Sequence, residues 1–197
     1  MATVRSRQTK KEEIPPQRSI GKSLILTILT LLLLVVMFIS GQLVRREYSF
    51  HPISGTSMNP TLTEKDMVLV KKSDSIQRYD VIAFSVKGES GKFVKRVIGM
   101  PGDTMFIRND RMVLNIGEYG DFETTYTFQL SPAVAEEFQH LTKIPKGYYF
   151  TTGDHIDVSK DSRTFGFVDK KMVEGTVQFH LPSLIKKQAE SEWRISR

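Results

Sequence analysis

The longest break in the mix of polar and apolar positions is residues 23–44, 22 consecutive uncharged residues dominated by Leu, Ile and Val. Roughly 20 such residues at about 1.5 Å each cross the ~30 Å hydrocarbon core of a bilayer. The run therefore predicts a membrane-spanning helix. A cleaved signal peptide has a shorter apolar core, about 7–15 residues, ending at small residues. Here the run leaves through Gly41-Gln42-Leu43-Val44-Arg45-Arg46, a poor cleavage site, which favours an uncleaved anchor. Beyond it the pattern changes to short β-prone runs separated by Gly and Pro. Met67–Lys71, residues 79–84 and residues 92–98 read as strands. Thr104–Arg108 and residues 111–114 read as a hairpin across Asn109-Asp110, Tyr148–Thr152 as another strand, and 172–181 as a final strand region. From 115 to 143 the signal weakens, although 132–141 predicts a short helix capped by Ser131, with Glu136 and Glu137 in its early turns. The expected fold class is mostly β, an antiparallel sheet domain after one N-terminal transmembrane helix.

Charge gives this layout a direction. Residues 1–22 carry six cations, Arg5, Arg7, Lys10, Lys11, Arg18 and Lys22, against Arg45 and Arg46 just past the run. The positive-inside rule then keeps the N-terminus in the cytoplasm and puts everything from about Arg45 outside. The expected divisions are a cytoplasmic tail over 1–22, polar and disordered over its first 19 residues, an anchor over 23–44 and an extracytoplasmic domain over 45–197. The net charge of +6 would permit nucleic-acid binding, but the basic residues are spread along the chain. Membrane lipid is the expected partner and nucleic acid is not. The last 15 residues mix Leu184, Ile185 and Trp193 with cations, and read as either a solvated terminus or a membrane contact. Cysteine is absent, which excludes disulfides, thiolate metal sites and Cys nucleophiles. No nucleotide-binding glycine loop or metal-ligand cluster is visible, so neither cofactor nor metal is expected.

Residues 54–62 hold a Gly, a Pro and four hydroxyl side chains. Gly55 lets the backbone turn where a side chain would clash, and Pro60 fixes φ. The stretch reads as a tight loop presenting one hydroxyl, with Ser57 foremost; an ordinary surface turn has the same composition. A serine needs a base to take its proton. Four histidines are available, His51, His140, His155 and His180, none within a triad motif. A neutral lysine can serve instead. At pH 7 neutrality costs about 4.6 kcal/mol at the reference pKa, and burial can lower that pKa by about 3–5 units. If 92–98 is a strand, Lys95 shares a face with Phe93 and Val97, an apolar setting of that kind. A solvated lysine on a strand is the plain alternative. Ser19-Ile20-Gly21-Lys22 and Ser183-Leu184-Ile185-Lys186 match S-x-x-K but lack the partner motifs of a penicillin-binding enzyme.

Three motifs in order carry a resemblance. Ser57-Met58-x-Pro60-Thr61-Leu62, then Lys95-Arg96-Val97-Ile98-Gly99-x-Pro101-Gly102-Asp103, then Gly153-Asp154-x4-Ser159-x-Asp161-Ser162-Arg163-x-Phe165-Gly166 resemble type I signal peptidases. The likeness covers residues 23 to about 181, and the short motif-free stretch 109–147 suits the compact, single-anchor Gram-positive branch. It implies a Ser/Lys serine endopeptidase that removes signal peptides from exported preproteins, with its catalytic domain outside the cell membrane. By motif match, Ser57 would be the nucleophile and Lys95 the general base. Ser159 would hydrogen-bond the Lys95 amine, Asp161 and Arg163 would form a salt bridge, and the Ser57 backbone N–H would meet the oxyanion. Three departures stand beside this. Gly55 occupies a position where some relatives carry a second oxyanion donor, leaving Thr56 or Ser54 as candidates. His155 replaces a usual Asn and is read as a scaffold change. Some relatives encoded with pilus genes assist pilin assembly, which makes pilin subunits an alternative partner, although this chain keeps both Ser57 and Lys95.

Overall fold

The computed structural model describes residues 20–73, 75–117 and 124–182. The disordered stretch expected over 1–19 and the terminal segment 183–197 lie outside the described residues. The chain divides into two compact units, 1–43 and 44–197. Helix α1 (Ile20–Glu47) accounts for the described part of the first and ends with Arg45 and Arg46 in its last turn, where cations suit the negative end of the helix dipole. It is long and apolar enough to cross a membrane by length and composition, and its Leu, Ile and Val side chains are exposed.

The second unit holds two antiparallel sheets. The larger is built from β1 (Tyr48–Pro52), β2 (Met67–Lys71), β3 (Val81–Phe84), β4 (Phe93–Gly99), β8 (Tyr148–Thr152), β9 (Val168–Asp169) and β10 (Val173–Leu181). Its strand order is β1-β2-β10-β3-β4-β8-β9. The smaller joins β5 (Thr104–Arg108), β6 (Arg111–Asn115) and β7 (Thr125–Gln129) in that order. Among the described residues the unit also holds two short α-helices, α2 (Pro132–Phe138) and α3 (Ser162–Phe165), and two 3-10 turns, Ile156–Val158 and Lys170–Met172. The period-two pattern explains the placement. In β2, the β-branched Val68 and Val70 point inward and are fully buried, while Met67 and Leu69 are only partly covered. In α2, the Ser131 hydroxyl accepts from the Val134 N–H at 3.4 Å, and Val134, Ala135 and Phe138 face the core.

The large sheet has different cores on its two faces. Alternation along β4 puts Val94 on the side of Met58, Leu62, Val68, Val70 and Ala83. It puts Phe93 and Val97 on the other side, with Ile82, Phe84, Tyr149 and Val168. The smaller sheet and α2 close a third core around Met112, Leu114, Phe138 and Phe150. The pairing of β4 is uneven along its length. It pairs with β3 along Phe93 to Arg96, but β8 joins it only from Arg96 onward. Among the described residues, the Phe93–Lys95 edge of β4 has no strand partner on that side.

Candidate active site

The loop after β1 is tied at both ends. Ile53 N–H donates to the Asp66 carbonyl at 2.7 Å and Lys65 N–H returns to the Ile53 carbonyl at 2.9 Å. Asp66 accepts from the Thr63 N–H and hydroxyl at 2.7 and 2.9 Å. Met58 and Leu62, both 2% exposed, anchor the loop in the core. Gly55 turns the chain at φ 87°, a conformation that disfavours a side chain. The loop is a rigid platform for Ser57, whose N–H donates to no protein acceptor among the described residues.

Lys95 arrives from β4. It is 4% exposed; its Nζ donates to Ser57 Oγ at 2.5 Å and to the Val94 carbonyl at 3.1 Å. The ammonium also lies 5.9 Å from the centre of the Phe93 ring. Burial pushes its pKa down from the ordinary value, and the carboxylates of Asp161 and Asp154 oppose part of that shift. Of the two apolar neighbours expected on its face of the strand, Phe93 lies beside the amine.

The segment from Gly153 to Arg163 packs against this pair. The His155 N–H donates to the Ser57 carbonyl at 3.0 Å. A Cβ at Gly153 would lie 2.4 Å from that carbonyl oxygen and 2.3 Å from Ser159 Oγ, so only glycine lets the segments meet. The Gly153 N–H is shared between Ser159 Oγ at 3.1 Å and Asp161 Oδ2 at 3.0 Å. Asp161 is fully buried; Arg163 Nε lies 2.8 Å from its Oδ1 and Arg163 Nη2 2.9 Å from its Oδ2. Arg163 Nη2 also donates to the Ile156 carbonyl at 2.6 Å. Ser159 therefore supports the Gly153 backbone, and no hydrogen bond joins it to Lys95. His155 Nδ1 is buried without a hydrogen-bond partner, and its imidazole makes no hydrogen bond to Ser57 or Lys95.

Two contacts around the site were not legible in the sequence. Arg96 grips Asp154 through Nε at 2.8 Å and Nη2 at 2.6 Å, latching the second motif to the third. Burial opposes ionisation of Asp154, but hydrogen bonds from Arg96 and Thr61 more than offset it and hold its carboxyl below the usual range. Opposite charges inside two separate motifs were the available signal. The other contact is an ion pair between Lys92 and Glu174, 3.1 Å apart, for which a lone carboxylate in a β-prone run gave little warning. A cleft of about 420 Å³ opens between the 52–58 loop and the free edge of β4; Ser57, Lys95, Ile53, Met58, Phe93 and Val94 are among its lining. Among the described residues, no group of three or more His, Cys, Asp or Glu converges on a metal-binding geometry.

The family described as "Signal peptidase, peptidase S26" matches residues 21–181. Signal peptidase IB of Staphylococcus aureus is 33% identical over 162 residues, covering 74% of this chain and 82% of that protein. Signal peptidase I P of Bacillus subtilis subsp. natto is 30% identical over 185 residues, covering 87% and 93%. A crystal structure of a signal peptidase I from Enterococcus faecalis V583 aligns with 53% of this chain and 97% of its own, at 30% identity and a TM-score of 0.37. With a family match across most of its length and relatives at this identity, the chain belongs to the signal peptidase family, peptidase S26.

Proposed function

We propose that this peptidase removes signal peptides from exported preproteins with Ser57 as nucleophile and Lys95 as general base. The observation that carries the reading is the 2.5 Å approach of the buried Lys95 Nζ to Ser57 Oγ. In the reactive state Lys95 is a neutral amine. The Ser57 hydroxyl gives its proton to Lys95 Nζ as Oγ attacks the scissile carbonyl. The oxyanion meets the Ser57 N–H, with Thr56 and Ser54 as candidates for the second donor. The C–N bond then breaks, and the Lys95 ammonium passes its proton to the leaving amine. Water attacks the acyl-enzyme, gives a proton to Lys95, and the ester C–O bond breaks as Ser57 Oγ is reprotonated. Asp161, Arg163 and Ser159 hold the segment against which Ser57 rests, and act on the dyad through position.

The extended substrate pairs with the open Phe93–Lys95 edge of β4, a mode in which backbone bonds give affinity and side-chain pockets give specificity. The proposed organisation is a cytoplasmic tail over 1–22, an anchor over 23–44 and an extracellular catalytic domain over 45–197. The six cations before the apolar run support that orientation. Association of the domain with lipid is supported by strand register. Phe50, Leu69 and Phe179 are aligned across β1, β2 and β10, as are Pro52, Met67 and Leu181. Phe50, Phe179 and Leu181 are exposed.

The test is cleavage of a preprotein bearing a signal peptide by the wild type, Ser57→Ala and Lys95→Ala. Loss of cleavage in both variants is expected. Full activity in either would refute the dyad, and pilin assembly persisting in Ser57→Ala would instead support a non-proteolytic assembly role.

A further inference from the structure

We propose that Glu174 is a positioning residue for the reaction, a buried carboxylate that straps the strand feeding the Ser57 loop to the strand carrying Lys95 and so holds the dyad in register. The proposal rests on the Ser57/Lys95 reading and deepens it. β1 leads through Pro52 straight into the loop that bears Ser57, and β4 bears Lys95. In the sheet the two strands are not neighbours, because β2, β10 and β3 stand between them. No backbone ladder joins them directly, so side chains that bridge the gap bear on how the two segments meet.

Glu174 supplies such a bridge. It comes from β10, the middle strand of the five, where the register with β3 shifts between Val173 and Gly175. An irregularity of this kind takes one residue out of the ladder and re-aims its side chain. The next residue keeps the strand close to β2: a Cβ at Gly175 would lie 2.0 Å from the Lys71 carbonyl oxygen, so only glycine fits there. Toward β1, Glu174 Oε1 accepts from the Ser49 hydroxyl and lies 2.9 Å from His51 Nε2. Toward β4, Oε2 lies 3.1 Å from Nζ of Lys92, the residue immediately before that strand. The three partners share a face. Ser49 and His51 stand opposite Val70 and Val68 of β2, and Lys92 falls in step with Val94. On that face Met58, next to the nucleophile, is anchored in its core.

The cover and charge of Glu174 suit a fixed link. Its side chain is 15% exposed. Burial works against the carboxylate, yet the bonds from Ser49, His51 and Lys92 bring its pKa down to about 2, so the link stays charged at neutral and alkaline pH. A buried ionic cluster often adds no net stability over an apolar replacement, and its best-attested use is to fix one geometry. Ser49, His51 and Lys92 all lie outside the dyad, so Glu174 acts on it through β1 and β4.

Preprotein cleavage by the full chain in detergent would be measured for the wild type, Glu174→Gln, Ser49→Ala, Lys92→Met and the double variant Glu174→Gln/Lys92→Met, well below the Tm of each. Glu174→Gln keeps the shape of the side chain and removes its charge. Its kcat should fall about tenfold or more, within what a ~1 Å misplacement can cost, while KM stays within about twofold of wild type. Ser49→Ala and Lys92→Met should each lower kcat as well. The double variant should lose no more than Glu174→Gln alone, because both substitutions break the same link. Met112→Ala, in the core beneath the smaller sheet, lowers Tm without touching the link and should keep the wild-type kcat. If Glu174→Gln does not fold, Ser49→Ala and Lys92→Met carry the test. Wild-type kcat in Glu174→Gln, or in both Ser49→Ala and Lys92→Met, would overturn the proposal and leave the dyad intact. An equal loss of kcat in Met112→Ala would overturn it too. Cleavage by Ser57→Ala would overturn the dyad instead.

Discussion

At the scale of single residues, Lys95 trades stability for chemistry. An amine this enclosed is easier to keep neutral than one in water, and that is the state a general base needs. The same burial has a thermodynamic sign. Because its folded pKa lies below the unfolded value of 10.5, the unfolded chain binds more protons between the two. This group therefore destabilises the fold at neutral pH, and the penalty disappears as pH rises to 10.5. Lys95→Met should accordingly lack activity yet raise Tm relative to wild type more at pH 7 than at pH 10, measured by calorimetry. A Tm difference independent of pH would contradict the assignment. Gly153 makes the complementary case, since its role is to be absent from the space it borders. Gly153→Ala drives a methyl toward the Ser57 carbonyl and Ser159 Oγ. A displacement of about 1 Å at such a site can cost on the order of 10²-fold in rate. A loss of that size in kcat, with a native far-UV spectrum, is the expected result.

At the scale of elements, the site exists because three segments distant in sequence are bolted together. The loop after β1 brings Ser57, β4 brings Lys95 and Arg96, and the turn after β8 brings Asp154 and Asp161. Arg96→Ala would leave Asp154 partly buried without its bidentate partner, and breaking such a pair costs about 3–5 kcal/mol when fully buried. With Arg96 and Asp154 side chains 25% and 15% exposed, a loss of roughly 1–3 kcal/mol in chemical denaturation is expected. Glu174 gives a pH-resolved counterpart. A carboxyl whose pKa falls to about 2 on folding stabilises above 4.5, and that contribution is lost as pH falls from 4.5 through 2. Glu174→Gln should therefore lower Tm at pH 7 and have a much smaller effect near pH 2. Most strands were legible because alternation and turn residues bracket them: Met67–Lys71, Thr104–Arg108 and Tyr148–Thr152 fall where the pattern put them. β1 and β7 were not, since Tyr48–Pro52 follows the apolar run directly and ends in proline, and Thr125–Gln129 lies in the stretch from 115 to 143 where the pattern weakens. Residue 79 reads as the start of a strand, but Tyr79 adopts φ 71° and β3 begins at Val81.

At the scale of the whole molecule, the motifs named the residues of the site, whereas their contacts needed the fold. The apolar setting of Lys95 followed from strand alternation, because a period of two is a local property. The hydrogen bond from Gly153 to Ser159, in place of one from Lys95, depends on how two loops cross, which no spacing encodes. The apolar run was visible from length alone, and its proposed orientation is testable. A tag before residue 22 should resist protease added outside intact cells, while the domain after residue 45 is digested. The central claim is that a buried lysine, rather than a histidine, takes the serine proton, and it is tested most directly by the pH dependence of kcat/KM on a preprotein between about pH 6 and 10. A rising limb that reports loss of the Lys95 proton, at a midpoint below 10.5 and unmoved by His155→Asn or His51→Asn, is the predicted result. A limb that disappears with either histidine, or activity that persists in Lys95→Ala, would contradict it.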